Sequence, residues 1–350
     1  MALEAKTIVV IQTAFLGDVI LTLPLLQVLK RSYPTSIIDF LVAPRAAGLV
    51  KDHPAINEII VYDKRDAESG IQGLFRKVSQ VRERNYDLAL IPHRSLRSAS
   101  LAWMARIPRR IGFHTSAGRF LLTHTVRYTH SLHEVDRNLA LLSPLGIDNN
   151  QKEYPSLYPL EADRKVVDDF LLKNGISNAD HLIAIAPGTV WYTKRWLQER
   201  FIELAETFVR SDVRLVLIGS SEDAALCKAI TLVQPSKIVS AAGTLTLLQS
   251  AELIRRCQLL ICNDSAPMHI AVAVRTPVVA IFGATVPEFG FAPYGEHNNI
   301  VEKKDLPCRP CSIHGGDQCP IRTFVCMKEI SAEHVYHVAM SMLDRTHTVK

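Results

Sequence analysis

Leu259–Gly283 reads LLICNDSAPMHIAVAVRTPVVAIFG, and the order of its parts decides the fold class. Two uninterrupted apolar runs, LLIC and VVAIF, have the composition of strands buried on both faces. Between them a polar turn, Asn263-Asp264-Ser265-Ala266-Pro267, opens a short apolar helix. Asp or Ser at the cap, with Pro in the first turn, is a helix-start signal. Strand, turn, helix and strand in that order make a βαβ unit. The free N–H groups and positive dipole end of its helix form a ready site for a phosphate or other anion, at the C-terminal end of the strand. His269 falls one turn into that helix.

The same alternation extends in both directions. Thr7–Gln12, Ser36–Ala43, Glu58–Asp63 and Tyr86–Pro92 are apolar runs, separated by helical stretches at Asp18–Ser32, Ser69–Arg84 and Ser95–Arg106. A further helix, His133–Leu145, ends at Gly146. Asn149–Leu160, NNQKEYPSLYPL, is polar, then Pro-rich and without period, and reads as a linker. A helix at Ala162–Asn174 follows, and the alternation restarts with strands HLIAIAP, VRLVLIG, KIVS, QLLICND and TPVVAIFG. The helices between them are Trp196–Arg210, Ser221–Val233, Leu245–Arg256 and Ser265–Val274. The spacing predicts an α/β chain of two successive Rossmann-like domains, 1–155 and 156–330. The last helix, in 331–350, is long enough to pack back across the first domain.

Composition is that of an ordinary soluble globular protein, 48% hydrophobic and 21% charged. No window reaches the ~18 uncharged apolar residues of a transmembrane helix. MALEAKTIVV lacks the layout of a signal peptide, so a cytoplasmic location is expected. The net charge of +5 is unevenly spread. From Asp87 to Glu134 no acidic residue intervenes, while Arg94, Arg97, Arg106, Arg109, Arg110, Arg119 and Arg127 accompany five histidines, His93 the first. This is either a solvated basic face or a surface for an anionic partner: phosphorylated glycolipid, membrane head groups or nucleic acid. A nucleic-acid role lacks aromatic–basic interleaving and a recognisable module.

The first βα turn, Thr13-Ala14-Phe15-Leu16-Gly17-Asp18, has neither GxGxxG nor GxxxxGK[ST]. It offers one carboxylate at a helix start, so Asp18 is either a helix cap or a general base placed by a rigid turn. The corresponding turn of the second domain, Ala186–Trp196, offers Thr189 and Lys194. A hydroxyl and an amine there suit phosphate oxygens; the plainer alternative makes Lys194 and Arg195 solvated loop charges, with Trp196 a core anchor. Glu222, after Ser220-Ser221, either accepts from ribose hydroxyls or complements a helix dipole. Cys227, Cys257 and Cys262 sit in apolar elements, whereas Cys308, Cys311, Cys319 and Cys326 cluster. In a cytosolic protein that cluster suggests zinc or iron before disulfides, with reduced structural thiols as the alternative.

Taken together, FLGDVILTLP (Phe15–Pro24), PGTVWYTKRW (Pro187–Trp196) and NDSAPMHIAVAVRTPVVAIFG, followed by Pro293-Tyr294-Gly295, resemble glycosyltransferase family 9. These are the ADP-heptose:lipopolysaccharide heptosyltransferases, and the likeness is nearest to heptosyltransferase II-like members. The resemblance implies a GT-B fold, two Rossmann-like domains facing a central cleft with acceptor on the N-terminal side and donor on the C-terminal side. It implies inverting transfer of heptose from ADP-L-glycero-D-manno-heptose to the inner core of lipopolysaccharide, on a heptosyl-Kdo-lipid A type acceptor. The setting it implies is peripheral, at the inner face of the inner membrane, with no nucleic-acid partner and no cofactor required for transfer.

Carried over residue by residue, Asp18 matches the proposed base, Thr189 and Lys194 donor-phosphate contacts, and Glu222 a ribose contact. Asp264 matches a carboxylate near the donor sugar, Ser265, Ala266 and Pro267 the turn at the pyrophosphate, and His269 the histidine of that helix. The anionic acceptor is expected at Gly17, Arg94, Arg97 and Arg119. Ser265-Ala266 stands where the family often has Thr-Gly, which keeps a hydroxyl but narrows the room for close backbone approach. The four-cysteine segment also resembles a late segment of many members. A structural zinc or iron there is expected to lie away from the leaving phosphate. The alternatives are a family member with another nucleotide-sugar donor or a non-lipid acceptor and, more distantly, a non-catalytic nucleotide-binding module. The presence of both Asp18 and Lys194 argues against the module, which needs no base.

Overall fold

Branched aliphatic residues dominate the strands, and helices separate them, so each strand must be covered on both faces. The computed structural model shows how. It describes residues 5–148, 152–177 and 179–347, with side chains to 344, and divides into two units, Met1–Tyr158 and Pro159–Lys350. The first three residues of the expected linker, 149–151, lie outside the described residues.

In the first unit the elements run β1 (Thr7–Gln12), α1 (Leu16–Ser32), β2 (Ile37–Val42), α2 (Pro44–Ala47), β3 (Glu58–Val61) and α3 (Gly70–Glu83). They continue with β4 (Leu88–Ile91), α4 (Leu96–Met104), β5 (Arg109–Phe113), β6 (His124–Val126) and α5 (Glu134–Ala140). All pairings are parallel, in the order β3-β2-β1-β4-β5-β6. Side chains alternate along β1: Val9 and Ile11 join Val78, Val81, Leu101 and Ala102 of α3 and α4, and the opposite face meets α1.

The second unit contains α6 (Glu161–Lys173), β7 (Leu182–Ala186), α7 (Gln198–Phe208), β8 (Arg214–Leu217), α8 (Ala224–Thr231) and β9 (Ile238–Ser240). Then come α9 (Leu247–Arg255), β10 (Leu259–Asn263), α10 (Ala266–Ala273), β11 (Val278–Phe282), β12 (Asn299–Glu302), α11 (Val325–Lys328) and α12 (Ala332–His347). The order is β12-β11-β10-β7-β8-β9, again all parallel. Strand by strand this is the arrangement of the first unit. Each order reverses at one point, β1/β4 and β7/β10. There the loops leaving the strand ends diverge and open a crevice, the place where open α/β sheets bind ligands.

Three expectations need correction. The Arg-rich stretch is not only surface, since it contains β5 and β6. The expected helix at His133–Leu145 stops at Ala140, and a 3₁₀ turn, Ser143–Leu145, carries Pro144 to Gly146 (φ 72°). Pro144 has no N–H to continue the helix. The last helix belongs to the second unit: Val335, Ala339, Met342 and Leu343 of α12 enter the core around Phe201, Leu204 and Phe208 of α7. That apolar stripe is satisfied within its own unit, and this outweighs its length as a guide to placement.

Asn263, fully buried at the end of β10, fixes the loop after β7. Its Oδ1 accepts from the Trp196 N–H at 2.9 Å and its Nδ2 donates to the Pro187 carbonyl at 2.8 Å. Asn263→Ala leaves both backbone groups buried without those bonds and is expected to cost about 2–4 kcal/mol. Urea denaturation followed by tryptophan fluorescence checks this, and an unchanged midpoint would show that other partners replace the amide.

Candidate active site

At the β7/β10 switch point the turn Tyr192–Lys194 brings the Lys194 amine to Asp264 Oδ2 at 2.6 Å. The Thr285 hydroxyl donates to the same oxygen at 2.6 Å. Asp264 and Thr285 are buried, and the Lys194 side chain keeps 14% of its surface. Helix α10 begins two residues after Asp264. Its cap residue, Ser265, makes no side-chain cap bond; the hydroxyl turns back to the Asn263 carbonyl at 3.3 Å. The Ser265 side chain therefore does not occupy the start of the helix, which suits an anion site. Pro267 lies in that turn, and His269 is buried on the helix. Thr189 is half-buried, its carbonyl accepting from Arg195 at 2.8 Å. Trp196 is a core anchor, fully buried, with its ring edge-on to Phe201.

Glu222 is exposed on the 3₁₀ turn Ser221–Asp223 after β8. Its neighbour Asp223, missed by the sequence reading, caps that turn through Ser220 N–H at 2.8 Å. The loops after β7 and β8 meet at this carboxylate: a Cβ on Gly188 would fall 2.0 Å from Asp223 Oδ1, and one on Gly219 2.8 Å from Asp223 Cβ. Glycine at both positions is a packing requirement.

At the β1/β4 switch point Asp18 occupies the third position of α1, next to Gly17, and accepts from the Phe15 N–H at 3.1 Å. It is therefore a helix cap. It is also chemically poised: burial first, and the charge of Glu134 second, push its pKa up to about 7, against the Phe15 N–H and Arg94. Thr13 beside it shares a hydrogen bond with His93 Nδ1 at 3.0 Å and accepts from Lys64 at 3.3 Å. Burial, then Lys64 and Arg94, lower the His93 pKa to about 4, so this imidazole stays neutral near pH 7. Lys64 was missed because its loop carries no motif.

The arginines of the basic stretch divide by role. Arg97 is engaged inside its unit, donating to Tyr62 OH and to the carbonyls of Glu68 and Gly70. Arg110 is tied to the Leu121, Ile107 and Pro108 carbonyls. Arg94 lies over the Tyr128 ring, 4.1 Å from its centroid, and remains exposed, as does Arg119 beside the 73%-exposed Phe120.

Cys308, Cys311, Cys319 and Cys326 carry free thiols close enough to act on one another: burial first and then the neighbouring thiols raise Cys311, and push Cys326 up to about 11. Four thiols are a suitable donor set for zinc or iron. As placed, however, they do not form a ligand shell; among the described residues no three His, Cys, Asp or Glu side chains are set to hold a metal ion. The segment also does not lie away from the expected phosphate site. Thr193 N–H donates to the Gly316 carbonyl at 3.0 Å, Gly316 N–H donates back to the Thr193 hydroxyl at 2.8 Å, and Gly315 packs on the Lys194 stem.

Comparison with known proteins identifies the family and the fold. The sequence model of glycosyltransferase family 9 (heptosyltransferase) matches residues 74–317. Lipopolysaccharide heptosyltransferase 2 of Salmonella typhimurium is 29% identical over 297 residues, 81% of this chain and 84% of that one. Lipopolysaccharide heptosyltransferase 3 of Escherichia coli K12 is 28% identical over 285 residues, 77% and 80% of the two chains. A family 9 glycosyl transferase from Veillonella parvula superposes with a TM-score of 0.89 at 28% identity over 99% of each chain. The E. coli ADP-heptose lipopolysaccharide heptosyltransferase II shares the fold, with a TM-score of 0.78 at 23% identity over 97% of this chain and 99% of that one. The two parallel-sheet units have the α/β, GT-B fold, and the chain belongs to glycosyltransferase family 9 and is a glycosyltransferase.

Proposed function

We propose that this chain transfers heptose from ADP-L-glycero-D-manno-heptose to an anionic lipopolysaccharide inner-core acceptor, with inversion at the anomeric carbon. The observation that carries the reading is Asp18, a carboxyl at a switch point with its pKa raised to about 7. Such a group takes a proton from an attacking hydroxyl near neutral pH better than an ordinary carboxylate does. The acceptor oxygen forms its bond to the anomeric carbon as the bond to the ADP phosphate breaks. The proton goes to Asp18 and the electron pair leaves on ADP. Lys194, Thr189 and the start of α10 meet the growing charge on the leaving phosphate, while Glu222 accepts from the ribose hydroxyls. The names of the relatives support this donor and acceptor. Exposed Arg94, Arg119 and Phe120 support an acceptor presented at a membrane surface, in a chain where no described helix is long and apolar enough to cross one.

The test is turnover of ADP-heptose with and without purified lipopolysaccharide core. Turnover is expected only with the acceptor, and kcat/KM should rise with pH to a plateau just above 7. Asp18→Asn should lose that limb and fall by roughly 10²–10⁴. Because folding raises the Asp18 pKa, the stability linked to this group is present at low pH and is lost as pH rises through 7. The Asn variant should therefore gain in melting temperature over wild type between pH 4 and 7. A variant with normal turnover and an unchanged pH profile would leave Asp18 only a helix cap.

Lys194→Ala should weaken ADP binding in calorimetric titration and slow transfer together, because one charge serves both the ground and transition states. Unchanged affinity and rate would make it a loop charge. Zinc or iron at the four thiols remains part of the proposal as a structural centre, with no step of transfer routed through it. Elemental analysis of chelator-free protein should give about one ion per chain, and metal-free protein with four titratable thiols would remove it.

A further inference from the structure

The Lys194–Asp264 pair is held by residues from elsewhere in the chain. Asp264 Oδ2 takes two donors, the Lys194 amine and the Thr285 hydroxyl, each at 2.6 Å. Thr285 follows β11, and its carbonyl accepts from Arg309 Nε at 3.1 Å and Nη2 at 2.7 Å. Arg309 is itself clamped by Glu302 at 2.7 Å and keeps 5% of its side-chain surface. It lies between Cys308 and Cys311, and the Cys311 N–H donates to the Ala284 carbonyl at 2.9 Å. The far side of the same segment reaches the other partner of the ion pair. Gly315, at φ 87°, leaves room where a Cβ would sit 2.9 Å from Lys194 Cγ and 3.0 Å from Cδ. Gly316 exchanges two hydrogen bonds with Thr193, and Phe324 stacks on Tyr192 with ring centroids 5.5 Å apart. One segment thus touches Thr285, the residue that holds the carboxylate, and the stem of the amine.

We propose that Thr285 and Arg309 are positioning residues for donor binding, and that the cysteine-bearing segment from Cys308 to Phe324 is the brace that aims the Lys194 amine at the donor phosphates. The proposal rests on the reading of Lys194 as the donor-phosphate cation. Without Thr285, Asp264 is free to rotate and Lys194 loses its fixed partner. Arg309 supplies a planar fork that the single amine of lysine does not reproduce.

The test compares Thr285→Val, Thr285→Ser, Lys194→Ala and the Thr285→Val/Lys194→Ala double variant, by titration with ADP and by steady-state KM for donor and acceptor. Thr285→Val should weaken ADP binding and raise the donor KM about five-fold, the size of one lost hydrogen bond. The acceptor KM should not move, and Thr285→Ser should restore the donor values. On the Lys194→Ala background, Thr285→Val should have no further effect, since the group it orients is gone. Wild-type ADP affinity in Thr285→Val beside a weakened Lys194→Ala overturns the positioning role alone, and so do additive losses in the double variant. Wild-type affinity in Lys194→Ala overturns the donor-phosphate reading and the proposal with it. Should Thr285→Val fail to fold, Gly315→Ala carries the test from a surface loop. Its methyl group displaces the Lys194 stem, so a similar loss of ADP affinity is expected, and unchanged affinity overturns the brace.

Discussion

The carboxamide of Asn263 is the contact on which the loop that carries Lys194 depends. It satisfies one backbone group at each end of the loop that leaves β7, the Pro187 carbonyl and the Trp196 N–H. A buried amide with both its donor and its acceptor used is costly to rearrange, so both loop ends are pinned to the end of β10. What lies between is free of the sheet ladder, and from it Lys194 turns back to the carboxylate that follows Asn263 in sequence, Asp264. Trp196 then closes the arrangement from below, with its indole N–H on the Ile330 carbonyl. The site is positioned by core contacts, and its reactive groups are left to chemistry.

The two units use one strand order for opposite electrostatic ends. At β1/β4 charge is suppressed: burial pushes the Asp18 carboxyl toward its neutral form and holds His93 neutral. At β7/β10 charge is gathered: an amine, a carboxylate and a helix start stand within a few residues' reach. Transfer of a sugar from a diphosphate needs both conditions. The nucleophile needs a base that wants a proton near neutral pH, and the leaving group needs fixed donors where negative charge develops.

The strand runs of the two sheets were legible because parallel strands are apolar throughout. β1 falls on its expected residues, Thr7–Gln12. The strands that escaped, β5 (RRIGF), β6 (HTV) and β12 (NIVE), carry few consecutive apolar residues beside polar ones such as Arg109, His124 and Asn299, so no uninterrupted apolar run marks them. The Arg-rich stretch misled for a related reason: charge in sequence says nothing of whether a guanidinium meets solvent or a carbonyl, and Arg97 and Arg110 meet carbonyls. In the site, residues that announce themselves at strand ends, Asp18, Lys194 and Asp264, could be named from local pattern. Thr285, Arg309 and Lys64 could not. Each reaches its partner across a long stretch of chain, and no periodicity records such a pairing.

A carboxylate beside the proposed diphosphate site is unfavourable by charge alone, so Asp264 needs a physical reason. A lysine on a short turn has four rotatable bonds, and ordering it on ligand arrival costs up to about 2 kcal/mol of rotamer entropy. Paired with Asp264, whose oxygen is itself held by Thr285, the amine is ordered before any ligand arrives. The cost is partial neutralisation of the cation in the ground state. Against that, a donor that arrives carrying phosphate charge meets an amine that needs no further ordering. Charge that grows on the leaving oxygen during bond breaking meets an amine already in place, and that interaction strengthens as the transition state is approached. Pre-ordering by Asp264 thus serves the bound donor and, more strongly, the departing diphosphate, and the part of the interaction that grows toward the transition state is the form of binding that raises rate.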